Sequence, residues 1–159
     1  MLPGLPPHLL AVVRHQSIPV ALPSGQTDDV AWLIAPDDPA LVAYQRERSE
    51  AADSGTVQAG ADLDRDVVCL REGWRPQPDG LIEAPTLAVD RVVIALSPDM
   101  AGVMLRGAAL GPDGSLLSRD RITSLVVAMD AAEGRWARTL NRFYRLSHLP
   151  GSDGEGDWP

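Results

Sequence analysis

Arg135, Arg138, Arg142 and Arg145 lie with Trp136, Phe143 and Tyr144 in one fifteen-residue stretch, Gly134 to His148, that contains no acid. A guanidinium presents a planar fork of donors that binds carboxylate or phosphate in bidentate fashion and stacks on flat rings. The chain as a whole carries a net charge of −8, so this stretch is a local reversal of sign. Its chemistry is the binding of something anionic, and the residue types alone do not say what.

Two conformations fit the spacing. As a helix, the four arginines fall at i, i+3, i+7 and i+10 on one face, with Trp136, Leu140, Phe143 and Tyr144 on the other. As a strand, Asp130 to Gly134 forms a short glycine-containing hairpin connection, and Trp136, Arg138, Leu140, Arg142, Tyr144 and Leu146 share one face. The helical period is the cleaner of the two. The threonine and aromatic content and the glycine-containing turn favour the hairpin, which is the reading taken. The candidate ligand- or partner-binding residues are Arg135, Trp136, Arg138, Arg142, Tyr144 and Arg145.

Three uses of the stretch compete. The arginines can be a solvated face paired with carboxylates, at about 0–1 kcal/mol per pair. They can recognise phosphate, nucleic acid or an acidic protein, with Trp136 and Tyr144 as stacking platforms that contribute about 1–3 kcal/mol per base. Or the acidic tail can fold back as a latch, with Asp153, Glu155 and Asp157 over the arginines and Trp158 on a guanidinium.

Other chemistry is excluded or poorly matched. There is no lysine among the fourteen basic residues, so no Schiff-base or phosphate-loop lysine exists. Gly102 and Gly107 have phosphate-loop spacing, but Ala108 and Ala109 follow them. Asp62, Asp64 and Asp66 open like a calcium loop, yet Val67 stands where glycine is needed and Gly73 where the closing glutamate belongs. Cys69 is the only cysteine and lies among apolar neighbours, which suits a buried inert thiol. His8, His15 and His148 have no metal-ligand spacing and read as surface histidines, so neither metal nor cofactor is expected. Glu47 and Glu50 sit among arginines that suit local ion pairs better than acid–base work. No serine lies in a nucleophile elbow.

The elements that would position these groups follow from periodicity. Pro6-Pro7 and the run to His15 predict a short helix. Ile18 to Leu22 and Val30 to Ala35 read as two strands with a loop, the second run fitting a helical turn equally well, and Asp37-Asp38-Pro39 starts a helix to about Asp53. Ser54 to Gly60 is a small-residue linker. Asp62 to Glu72 is a helix with Leu63, Val67 and Leu70 on one face and Gly73 as its stop, followed by a proline-rich hinge from Trp74 to Gly80. Runs at Arg91–Leu96, Val103–Leu110 and Ile122–Met129, with turns at Pro98-Asp99 and Gly111-Pro-Asp-Gly114, predict an antiparallel unit. The fold expected is α+β: short N-terminal helices and a small C-terminal antiparallel β unit, barrel-like or a meander. The regions are 1–73 (mixed helical and β), 81–148 (the β unit) and 149–159, a disordered acidic tail.

Ile122-Thr-Ser-Leu-Val-Val-Ala-Met-Asp130 followed by Arg135-Trp-Ala-Arg-Thr-Leu-Asn-Arg-Phe-Tyr-Arg-Leu146 resembles the C-terminal signature of a family of small uncharacterised alphaproteobacterial proteins. The resemblance covers residues 81–148, and Asn141 stands where such signatures often have serine. That family carries no known activity, so the resemblance implies no catalytic or binding residue.

The expectation for function is a non-enzymatic, cytoplasmic, regulatory interaction protein, an adaptor or inhibitor acting through contacts with a protein partner. No segment reaches membrane-spanning length. In one form, Asp28, Asp29, Asp37, Asp38, Glu47, Glu50, Asp53, Asp62, Asp64 and Asp66 imitate a phosphate backbone, as some phage-encoded inhibitors of bacterial defence do. The alternative is a nucleic-acid- or phosphate-binding module built on residues 135–146.

Overall fold

The computed structural model describes residues 1–20, 29–43, 54–96 and 101–150. Its strands are β1 (Leu2–Pro3), β2 (Val30–Trp32), β3 (Thr86–Leu96), β4 (Ala101–Leu110), β5 (Leu116–Ile122), β6 (Val126–Asp130), β7 (Trp136–Thr139) and β8 (Phe143–His148). Its helices include α1 (Pro7–Gln16) and α2 (Ser54–Arg71), with a helical segment at residues 39–43 and a 3-10 turn at Pro78–Leu81.

Proline at the start of α1 fixes the first turn, and Leu9, Leu10 and Val13 form its buried face. The helix ends where Ser17 turns extended and its hydroxyl donates to the Arg14 carbonyl at 2.7 Å. Arg14 ties this end to the sheet by donating to the carbonyls of Ala131 and Ala132 at 2.7 and 2.9 Å.

Helix α2 buries Leu63, Val67 and Leu70, spaced at i, i+4 and i+7. It stops at Gly73, whose φ of 103° is open only to glycine at low cost. There the Gly73 amide donates to Leu70 and the Trp74 amide to Cys69, the paired bonds of a Schellman termination. Ser54 to Gly60, read from sequence as a linker, is instead the first part of this helix.

The strands make one eight-stranded sheet in the order β2-β6-β7-β8-β3-β4-β5, with β1 also paired to β8. Every pairing is antiparallel except β3 with β8. The sheet is therefore two meanders, β3-β4-β5 and β6-β7-β8, laid side by side through that parallel junction. The protein is mostly β with some helix, and the sheet does not close into a barrel. The β component is also larger than the small C-terminal unit expected, because β1 and β2 come from the N-terminal region.

Ile122–Met129, read as a single run, is two strands. Ile122 ends β5 against β4, and Val126 begins β6 against β7. Between them the chain turns a corner at Thr123. Its amide donates to the Leu105 carbonyl at 2.9 Å, and its hydroxyl accepts from the Leu105 amide at 3.0 Å. A corner of this kind lets one strand run serve two parts of a curled sheet.

Both faces of the β6–β8 region are covered. On one side α1 packs over Leu33, Val126, Met129, Ala137, Tyr144 and Leu146. On the other, α2 packs over Trp32, Ile34, Val127, Trp136 and Leu140. Strand alternation sorts β7 and β8 between the two layers, with Trp136 and Phe143 toward α2 and Ala137 and Tyr144 toward α1.

The basic stretch is a hairpin, as expected, but its register differs. The Asp130–Gly134 connection joins β6 to β7, and a second tight turn at Leu140–Arg142 joins β7 to β8. Trp136 and Tyr144 thus lie on opposite faces rather than together. The turn at Pro98-Asp99, the helix beyond residue 43 and the tail 151–159 fall outside the described residues, so the tail latch does too.

Candidate anion-binding site

Arg145 sits directly opposite Trp136 in the β7–β8 pairing, on the α2 side of the sheet. Its amide donates to the Pro85 carbonyl at 3.0 Å, which holds the backbone in place. Its Nε is buried and has no hydrogen-bond partner, and its guanidinium meets no carboxylate among the described residues. A buried donor left unpaired costs about 1–3 kcal/mol, and more when charged.

The side chain lines a cleft of about 300 Å³. Arg75 and Arg135 contribute two further guanidiniums, Asp29 and Asp130 two carboxylates, and Pro3, Pro76, Leu81, Trp136 and Leu146 apolar wall.

Each charged group is set by a local device. Arg75 follows the Schellman end of α2, and its fork is fully engaged. Nε and Nη2 donate to the two carboxylate oxygens of Asp29 at 2.8 and 3.1 Å, while Nη1 donates to the carbonyls of Leu70 and Trp74 at 3.0 and 2.8 Å. Asp130 ends β6 and organises the following turn. One of its oxygens accepts the amides of Ala132 and Glu133 at 3.0 and 3.4 Å, and the other accepts the Arg135 amide at 3.0 Å. Arg135 is exposed at the rim and ion-paired with Glu133. Among the described residues, Arg145 is therefore the one cleft cation whose head group has no partner.

The six residues singled out in the sequence separate. Arg135, Trp136 and Arg145 come together at the cleft. Arg142 is exposed on the second turn and lines a neighbouring open hollow with Glu83, Asn141 and Phe143. Arg138 is 1% exposed, donates to Asp66 at 2.9 Å and to the Thr139 carbonyl at 2.9 Å, and lies 5.4 Å from the centre of the Phe143 ring. Tyr144 is 6% exposed in the α1 core and Trp136 is 7% exposed in the α2 core. The four arginines thus do not form one cationic surface, and Trp136 and Tyr144 do not form a stacking track. The reason is the period of two in each strand combined with the turn at Leu140–Arg142, which resets the alternation.

Sequence reasoning missed Arg75, Asp29 and Asp130 as parts of the site. An aspartate before a glycine-containing turn was a readable signal for Asp130. Nothing local marks Arg75 or Asp29, whose partnership spans 46 residues.

Among the remaining groups, His148 is buried rather than at the surface, with Nδ1 2.8 Å from the Gly4 carbonyl. Cys69 is half-buried. Of the acids proposed as a mimic surface, Asp29 is bound to Arg75 and Asp66 to Arg138, while Asp37, Asp38 and Asp64 lie at the surface or partly so. Asp28, Glu47, Glu50, Asp53 and the Asp62 side chain fall outside the described residues. Among the described residues no group of three or more histidine, cysteine or acidic side chains is placed to hold a metal ion. No helix there is long and apolar enough to cross a membrane.

In comparison with known proteins, no family model, no curated protein and no solved structure matches this chain. The class of site rests on its geometry: a half-open, largely apolar cleft with, among the described residues, one unpartnered guanidinium.

Proposed function

We propose that the chain is a non-enzymatic binding protein that accepts an anionic group in the cleft between β7, β8 and the segment after α2. The observation that carries this reading is that the Arg145 side chain, which has no carboxylate partner among the described residues, lines a cleft of ligand size. Binding is favoured over catalysis by what surrounds it. Among the described residues the cleft offers no serine, cysteine or histidine, and both of its carboxylates are already engaged. A discrete anion is favoured over a nucleic-acid strand, because the aromatic groups near the arginines are buried on opposite faces and the chain carries a net charge of −8. A protein partner enters this reading only through an anionic group small enough for the cleft.

The test is an amide-correlation NMR titration with acetate and with inorganic phosphate, at constant ionic strength. Shifts centred on Arg75, Arg135, Trp136 and Arg145 that vanish in Arg145→Gln support the reading. Absence of such shifts with every anion tried would remove it.

A further inference from the structure

Resting on that reading, we infer that the ligand class is a single carboxylate carried on an apolar body, rather than phosphate or a polyanion. The charge inventory of the cleft supports this. Among the described lining residues, three guanidiniums face two carboxylates, one positive charge in excess. Glu133, paired with Arg135 at the exposed rim, adds negative charge on the solvent side. With Glu133 counted the described groups balance, so one carboxylate adds a single excess charge, whereas a phosphate dianion adds two beside Asp29 and Asp130. Of the described cleft cations only Arg145 has an unpartnered head group, and one planar fork suits one planar carboxylate.

The walls point the same way. Trp136, Leu81 and Leu146 with Pro3 and Pro76 make most of the remaining lining apolar, and polyphosphate or sugar-phosphate ligands would find few partners there. A volume of about 300 Å³ lies at the small end of ligand pockets, enough for a ring or short branched chain next to the carboxylate. The same chemistry is available from a free carboxylic acid or from the C-terminal residue of a peptide ending in an apolar side chain.

The experiment is isothermal titration of the full chain with 4-phenylbutyrate, with N-acetyl-Ala-Leu bearing a free C-terminus, with the methyl ester of each, and with inorganic phosphate. At least one carboxylate should bind, and its ester should lose about tenfold or more, as expected for loss of a charge-assisted bidentate contact. Arg145→Gln should lose a similar factor, and Arg145→Lys should fall between, keeping charge without the fork. Which acid binds identifies the source as free acid or chain terminus. Circular dichroism of each variant separates loss of binding from loss of fold. An ester that binds as well as its acid, or phosphate that binds as tightly as either acid, overturns the inference. Phosphate binding that depends on Arg145, without carboxylate binding, leaves the anion reading in place and removes this one. If none of these anions binds, both are lost.

Discussion

Arg138 on β7 and Asp66 on α2 are 72 residues apart in the sequence, and their side chains meet at 2.9 Å. The guanidinium is 1% exposed and the carboxylate 13% exposed. Asp66 occupies the α2 face that also carries Leu63, Val67 and Leu70, so the ion pair sits inside the layer that seals the sheet. The most buried arginine of the basic stretch is therefore a fastening between helix and sheet, and it is Arg145, on the interior strand β8, that lines the cleft.

Removing one partner should be costly. Asp66→Ala leaves a buried cation with fewer acceptors, and the expected loss is about 3–5 kcal/mol by denaturant unfolding. The double variant Asp66→Leu/Arg138→Met removes both charges and should recover most of it. A single-variant loss below about 1 kcal/mol would show that the pair behaves like an exposed one.

The turn between β7 and β8 depends on Thr139. Its hydroxyl donates to the Arg142 carbonyl at 3.1 Å and accepts from the amides of Asn141 and Arg142 at 3.3 and 3.2 Å. Thr139→Val keeps the shape and removes all three contacts. It should cost about 1–3 kcal/mol and speed amide hydrogen exchange at Arg142. Unchanged exchange there would show that strand pairing alone holds the turn.

Gly107 sits in β4 opposite Val89, next to an irregularity in the β3–β4 register. A Cβ at this position would collide with the main-chain carbonyl of Ala88, and a backbone neighbour cannot rotate away. Gly107→Ala should destabilise by about 3 kcal/mol or more. A thermal unfolding midpoint close to that of the parent chain would mean that the two strands can separate without cost.

Asp120 on β5 holds Arg106 on β4 in a fork with both bonds at 2.6 Å. The hydrogen bond from Arg106, aided by its charge and that of Arg91, pulls the Asp120 carboxyl below its ordinary value. Asp113 is lowered in the same direction by the Ser115 hydroxyl and amide in the β4–β5 turn. A carboxyl whose folded value is depressed contributes stability above its unfolded value and loses it as pH falls through the folded one. The β4–β5 hairpin should therefore loosen only below the ordinary carboxylate range. A side-chain carboxyl NMR titration should place Asp120 below an unfolded reference peptide, and added salt should shrink the difference because the pair is exposed. A midpoint equal to the reference would show that the fork does not persist in solution.

How much of this was legible in the sequence depended on the range of the interaction. Local signals were readable. Proline at the start of α1, the spacing of Leu63, Val67 and Leu70, the stop at Gly73 and the Asp130–Gly134 hairpin connection each follow from steric or hydrogen-bond rules over a few residues. The helical start at Ser54–Gly60 was missed because its two glycines, serine, threonine and valine are less favourable in a helix than alanine, and continuity with the amphipathic helix that follows overrides that preference. Strand β5 was missed because Leu116 to Ile122 alternates poorly, being mostly exposed at a sheet edge.

The sequence by itself determined that this is an arginine-only, acidic chain, without the motifs of phosphate-loop or calcium-loop chemistry, whose C-terminal third concentrates guanidiniums beside aromatic rings. Only the tertiary structure decided what each guanidinium does. Alternation along β7 and β8, interrupted by the turn at Leu140–Arg142, assigned neighbouring side chains to opposite faces. Packing of α2 then buried Arg138 with Asp66, while the segment after α2 brought Arg75, and the start of β2 brought Asp29, to the cleft that Arg145 lines. Charge and residue type are local properties, but burial and partnership depend on which distant segment arrives against each face, and no spacing within residues 134–148 encodes that.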